Sequence, residues 1–477
     1  MNTKSGLIHV SKIVFAAVVV VWFTNGCRDH TQEVILEYLP ETVDYAQLNA
    51  VATNRANLLL GNIDSGQNSL ESFIELAQLF HANGLLREAI SCYEGLLQVD
   101  PESAKWSHLL ATLLAGYGYA EDATSLWLDV IEREPEYVPA RIRLGDLYLK
   151  SNRLDEAEQT YRTVLEMDPK NPYAMVGLAR LAMQSEDWPQ AEKYLVRASA
   201  VSGGKIGKDL LVTVYEAEGK TYEAMVIRSE AKASGSFVDI VDPWMDEVNT
   251  HCYNPDMLVA LGGYTVSRGD LKTSIELFKK ALDIDPDHLM AHYQLSFIYE
   301  AFGMYELAIE HLNAAVDLKK DFADAWIKLT GLHEKKGDPG EALRIFYSGL
   351  MNCPKSPAYQ IEYARRLKKE KKYTAAIAAL KKSIEYRPNE ALAYVELSSC
   401  YLALGREDEG VEALERALTV EAGDLPAMTS LCYYSILSED KERAREMLTQ
   451  LQKHPRFDKK SEDELLEAYR SKFGEFQ

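Results

Sequence analysis

Cysteine, catalytic signatures and long apolar runs are scarce in this chain. Six cysteines in 477 residues are too few for a disulfide scaffold, and none stands in a C-x-x-C pair or a C-x-x-C-H haem-attachment motif. No H-E-x-x-H zinc helix, G-x-S-x-G nucleophile elbow or phosphate loop occurs. Net positive charge is missing too: 52 Lys and Arg against 73 Asp and Glu leave −21. That balance argues against a surface built as a whole for nucleic acid or anionic lipid. Apolar residues make up 47% of the chain, enough to bury a sizeable core and to exclude wholesale disorder. The length fits either roughly three globular domains or one elongated repeat array.

The first thirty residues read as an address. Lys4 and Lys12 give a positive start, and Ile13 to Phe23 is an unbroken apolar run of 11 residues. Such a run suits an export signal and is too short to cross a bilayer comfortably as a helix. Thr24-Asn25-Gly26-Cys27 follows and resembles the lipobox of bacterial lipoproteins. Gly26 and Cys27 match that motif, whereas Thr24 and Asn25 depart from it. The resemblance implies lipidation at Cys27 and an extracytoplasmic, membrane-anchored location on the periplasmic side. An uncleaved N-terminal anchor is the alternative.

Self-similarity carries the fold. Pro101, Pro135 and Pro169 are spaced by 34 residues, and Pro354 and Pro388 repeat that spacing. Between them runs a constant pattern, seen in Leu144-Gly145, Tyr148, Asn152, Ala157, Tyr161 and Pro169. It returns as Trp326, Leu329, Gly337, Ala342, Phe346 and Pro354. Leu144 and Tyr148 share one face of a first helix, Ala157 is small where two helices cross, Tyr161 fills the space above it, and Pro169 stops the second helix. This pattern resembles the tetratricopeptide repeat, from about Leu70 to His454. The resemblance implies an all-α, right-handed solenoid of about eleven helix hairpins, each burying its neighbour's apolar face.

The expected organisation is a signal peptide (1–26), a lipid-anchored lead-in and N-terminal cap (27–69), a first array of five repeats (70–232), a joint (233–254), a second array of six repeats (255–456) and a C-terminal capping helix (457–477). The lead-in is expected to be helical over Tyr45–Leu60, and the last helix to open on Ser461 as its cap. The joint is where the array slips phase: Pro169 to Pro286 exceeds three 34-residue periods by 15. Trp244 and Met245 there are expected to pack over an exposed helix end. The Asp-Pro-Trp-Met-Asp-Glu run at 242–247 is similar to a joint in periplasmic tetratricopeptide proteins, which occur alone or beside c-type cytochromes.

Nothing in the sequence assembles a reaction centre. His251-Cys252 has no second ligand pair, and Cys92, Cys353, Cys400 and Cys432 fall on helices or at a helix end, as buried thiols do. No catalytic residue, metal site, cofactor or small-molecule substrate is expected, and no nucleic acid. The family commonly holds a protein or peptide segment on the concave face lined by first helices. Inward places in the second array would include Val259, Tyr293, Phe297, Ile327, Ile361, Val395 and Tyr433. The first array presents a more polar set: Gln78, His81, Thr112, Asp146, Arg180, Thr213 and Glu216. The carboxylate clamp of chaperone adaptors is absent, because its Asn place carries Gln78, Thr112 and Asp146 and its Lys place Ile74, His108 and Ile142.

One charge exception stands out. From Lys355 to Arg387 there are ten Lys and Arg against three acids, with Arg365, Lys368, Lys369 and Lys372 offering an anion patch. A solvated helix pair balancing acidic neighbours explains the same residues. The expected function is a non-enzymatic, membrane-tethered scaffold. A platform for envelope polysaccharide or another anionic polymer, or an accessory to a periplasmic cytochrome system, are the alternatives.

Overall fold

The computed structural model describes residues 30–475 except 42, 44, 46, 47, 203–205, 222, 225, 229–238, 422, 455 and 456. The expected signal peptide (1–26) and Cys27 therefore lie outside the described residues. The described chain is helical, without a strand among the described residues, and its helices pair into hairpins that stack one after another. Repeat 1 pairs Ser69–Ala82 with Leu86–Val99, and repeat 2 pairs Ala104–Tyr117 with Ala120–Arg133. Repeats 3 and 4 pair Val138–Lys150 with Leu154–Met167 and Pro172–Gln184 with Trp188–Val201. Repeat 5 contributes Lys208–Ala217 and helical residues between 221 and 228. After a short helix at Pro243–Asn249, repeats 6 to 11 open at Pro255, Leu289, Ala323, Pro357, Ala391 and Leu425.

Local chemistry explains the period. Between the two helices of nearly every hairpin one residue takes positive φ at the same place in the repeat. Gly84, Gly118, Gly269, Gly303, Gly337 and Gly405 do so, and Asn152, Glu186, Lys371 and Glu439 hold the same conformation without glycine. That left-handed residue turns the chain through the tight corner. Side-chain caps set many helix starts: Asn171 accepts from the Ala174 N–H at 3.0 Å and Asp424 from the Ala427 N–H at 2.7 Å. Proline then fits the first helical turn at Pro172, Pro255 and Pro357.

Both ends differ from expectation in detail. The lead-in holds two helices, His30–Tyr38 and Ala50–Ser65, rather than a single one over Tyr45–Leu60. Asn49 caps the second by accepting from the Ala52 N–H, and the first is held by burial of Ile35 and by Ser91 Oγ donating to the Tyr38 carbonyl at 2.8 Å. At the C-terminus Asp458, not Ser461, is the cap of Lys459–Phe473. Its carboxylate accepts from the Ser461 N–H at 2.9 Å and from the Ser461 hydroxyl, which lies one turn inside the helix.

Candidate functional site

First helices line the inner face of a solenoid, so both arrays offer a groove. The groove of the first array is filled by the chain itself. Residues 239–253 lie across the first helices of repeats 4 to 1 and the lead-in, running backwards along the array. Asp239 accepts from Arg143 Nη2 at 2.7 Å, and its carbonyl accepts from the Tyr173 hydroxyl at 2.7 Å. Asp242, 4% exposed, accepts from His108 Nε2 at 2.8 Å and from the Tyr137 hydroxyl. Glu247 accepts from Gln78 Nε2 at 3.0 Å and from Lys105 Nζ at 2.6 Å. Asn83 then reads the main chain: its Nδ2 donates to the His251 carbonyl at 2.8 Å and its Oδ1 accepts from the Tyr253 N–H at 2.7 Å.

Trp244 stacks on Tyr137 with ring centroids 3.7 Å apart and meets the His108 ring edge at 5.5 Å. Trp244 thus covers a helix start, as expected, since Tyr137 is the N-cap residue of Val138–Lys150, but it does so inside the first groove. The tautomer of His108 follows from its partners. The Trp127 indole can only donate, and it donates to His108 Nδ1 at 3.2 Å, so Nε2 carries the hydrogen given to Asp242. Burial pushes the Asp242 carboxyl up, but the His108, Tyr137 and Met245 hydrogen bonds outweigh it and hold the group below its ordinary range.

Of the polar residues expected in this groove, Gln78 bonds the segment. His81 instead meets the Tyr93 hydroxyl at 3.1 Å, Thr112 donates to the His108 carbonyl, and Asp146 accepts from Tyr161 at 2.7 Å. Asn83, Lys105, Tyr137, Arg143 and Tyr173 are not among the expected groove residues, and His108 is placed there only as the occupant of the clamp's Lys place. A signal for them exists, because the 15 residues of phase slip equal the length of 239–253, and that stretch is rich in acids.

The second groove holds no segment of the described chain. Phe297 and Tyr433 are 42% and 51% exposed. Tyr293 is half-buried, with Phe297 at 4.9 Å and Phe322 at 4.7 Å between ring centroids, and Lys328 Nζ lies 3.6 Å above the Phe297 ring. Burial, with Asp324 nearby, pushes the Tyr293 phenol up to about 12. Val259, Ile327 and Val395 are half-buried and lean on the core. Ile361 is not a groove residue: it is 4% exposed, covered where repeats 9 and 10 meet, in one cluster with Ala364, Leu367, Ala393 and Leu397.

The proposed anion patch is largely paired. Arg365 and Lys368 both donate to Glu396 at 2.7 Å, and Lys372 meets Glu370 at 2.6 Å. Lys369 is exposed beside them. Among the described residues no group of three or more His, Cys, Asp or Glu converges as a metal site requires. The five described cysteines are free and buried. Burial raises the Cys353 thiol to about 11 and the Cys432 thiol to about 12, so both stay protonated and weakly nucleophilic.

Tetratricopeptide repeat models match residues 70–103, 114–166, 142–204, 266–326 and 367–432, together just over half of the chain. The chain belongs to the tetratricopeptide repeat family. It is similar to DnaJ homolog subfamily C member 3 of Homo sapiens, 26% identical over 193 residues that cover 37% of this chain and 38% of that protein. TPR repeat-containing protein YpiA of Bacillus subtilis is 23% identical over 185 residues, covering 39% of this chain and 44% of the relative. These matches span less than half the length of either relative. Among solved structures, yeast Tom70 aligns at 13% identity with a TM-score of 0.40, over 85% of this chain and 95% of that one.

Proposed function

We propose that this tetratricopeptide protein is a non-enzymatic scaffold whose second array holds a segment of a partner protein. One observation carries the reading: the first groove is occupied in cis, whereas in the second array Phe297 and Tyr433, at first-helix places expected to face inward, stay exposed. An aromatic side chain left half in water on a concave surface is what a partner's apolar residue would cover. Tyr293 and Lys328 hold Phe297 in place, so the site is ordered before binding and loses little entropy on it. The lipobox-like Thr24–Cys27 supports a membrane tether outside the cytoplasm. Pairing of Arg365, Lys368 and Lys372 with acids leaves the polymer-platform reading without an observation in its favour.

Two measurements test this. A photo-crosslinking side chain placed at Phe297 or Tyr433 in the native cell should trap a partner protein. The same probe at Arg162, an exposed residue of the second helix Leu154–Met167, should not. Phe297→Ala/Tyr433→Ala should weaken the trapped partner's binding by about tenfold or more, the loss of roughly 1.4 kcal/mol or more. A partner that binds this variant as tightly as wild type would place the site elsewhere. The tether is tested separately, since Cys27→Ser should move the protein from the membrane fraction to the soluble extracytoplasmic fraction.

A further inference from the structure

The segment in the first groove is bound as a peptide ligand is bound. Its acids meet basic, imidazole or hydroxyl groups on successive repeats: Asp239 with Arg143, Asp242 with His108 and Tyr137, Glu247 with Lys105 and Gln78. Its single tryptophan lies flat on Tyr137, and its main chain is read in both directions by the amide of Asn83. Aromatic stacking, charge complementarity and main-chain pairing are the three devices by which grooves recognise extended segments in trans. The segment is also not sealed in. Repeat 6 reaches it through the Tyr264 hydroxyl, which donates to the Asp239 carbonyl at 2.9 Å. Between that repeat and the segment's short helix an open cavity of about 280 Å³ remains, lined by Asp246, Asn249, Leu261 and Arg268 among others. Pro243, Asp246 and Glu247 keep their outer sides in water.

We infer that the first groove is a recognition site for an acidic Asp-Pro-Trp segment, filled at rest by residues 239–253 and open to competition from a partner segment of the same chemistry. The competing segment needs an acid for Arg143, an aspartate three residues later for His108, a tryptophan two residues beyond it, and an acid for Lys105. This site is independent of the second groove, and either can fail without the other.

The probe is a fluorescent peptide copying residues 239–253, added to the full chain. Asp242→Asn/Trp244→Ala removes the two strongest holds of the tethered copy and leaves every groove residue in place. The peptide should bind this variant in the micromolar range by anisotropy. Wild type should bind at least about 100-fold more weakly, because a short tether presents its own segment at an effective concentration on the order of millimolar. Adding Lys105→Glu to the variant should abolish binding, and a peptide carrying Glu247→Lys should restore it, a rescue that a purely structural brace would not give. Should the variant lose its helical circular dichroism, wild type decides instead: millimolar peptide should speed amide hydrogen exchange within 239–253 several-fold. A folded variant that ignores the peptide, equal binding by wild type and variant, no rescue by the swapped charge, or exchange unmoved by excess peptide would each overturn the inference.

Discussion

Tyr161 lies between two glycines, one from its own repeat and one from the next. A Cβ on Gly145 would sit 2.7 Å from its ring and one on Gly177 only 2.3 Å, and the ring is fully buried. These glycines exist to admit an aromatic side chain. Gly331 is different, because a Cβ there meets nothing within 4 Å and a helix-interior glycine costs roughly 1 kcal/mol against alanine. Gly177→Ala should therefore destabilise by about 1–3 kcal/mol through overpacking, while Gly331→Ala should stabilise by up to about 1 kcal/mol. Opposite shifts in the urea midpoint check the pair, and equal signs would refute the packing account. His81 makes a second prediction. Burial lowers its pKa from 6.5 to about 4, with Asp242 opposing and His108 adding to the shift. The unfolded chain thus takes up the proton first, so stability is complete above pH 6.5 and drains away as pH falls towards 4. The full loss is about 3 kcal/mol. His251 and His311 are depressed in the same direction, chiefly by burial, so acid weakens the fold at more than one place. His81→Gln should flatten the fall in melting temperature between pH 7 and pH 4, and an unchanged slope would remove His81 from the account.

At the scale of the element, the hairpins are legible, whereas the joint is legible in its place along the chain but not in what it touches. Hairpins are written locally: the turn residue, the small residue at the crossing and the closing proline are all within one 34-residue period, so sequence spacing alone reveals them. The segment 239–253 draws its partners from up to 204 residues away, as Asn49 and Tyr253 show, and no periodicity reports a contact of that kind. Its acids look like any solvated helix start until Lys105, His108 and Arg143 are seen to face them. The exposed groove was legible only in part. Phe297 and Tyr433 stand eight residues into their first helices and stay exposed, whereas Ile361 stands only four residues into its own, one turn earlier, and is covered against repeat 10. Asp242 is the element's anchor. Asp242→Ala leaves the His108 and Tyr137 donors unpaired, at about 1–3 kcal/mol for each buried group, and removes the cap of Pro243–Asn249. Amide exchange in 239–253 should accelerate at least about tenfold while repeats 9 to 11 stay unchanged. Faster exchange spread evenly over the chain would argue against a locally held segment.

Across the whole molecule the two halves are built to different degrees of unity. One apolar cluster runs from Ile35 through repeats 1 to 5 and the filled groove to Leu258, Ala281 and Ala291. Beyond that point the core is divided: separate clusters serve repeats 6 to 8, repeats 9 and 10, and the final repeat with the terminal helix. In a stack where each repeat leans only on its neighbours, stability is close to a sum of unit and interface contributions, so a divided core opens in steps. The first half gains a second set of long-range ties from the segment in its groove and should open as one unit. Lys459–Phe473 closes the far end by burying Leu465, Leu466 and Tyr469 against Met428, Cys432, Ile436, Leu448 and Leu451. Removing residues 457–477 bares that apolar face, and the loss should travel inward one repeat at a time. Hydrogen exchange of the truncated chain should show repeat 11 unprotected, repeat 10 partly so, and repeats 1 to 4 at their original rates. Uniform loss of protection through repeat 1 would mean that the stack behaves as a single cooperative block, and the division of its core would then have no energetic consequence.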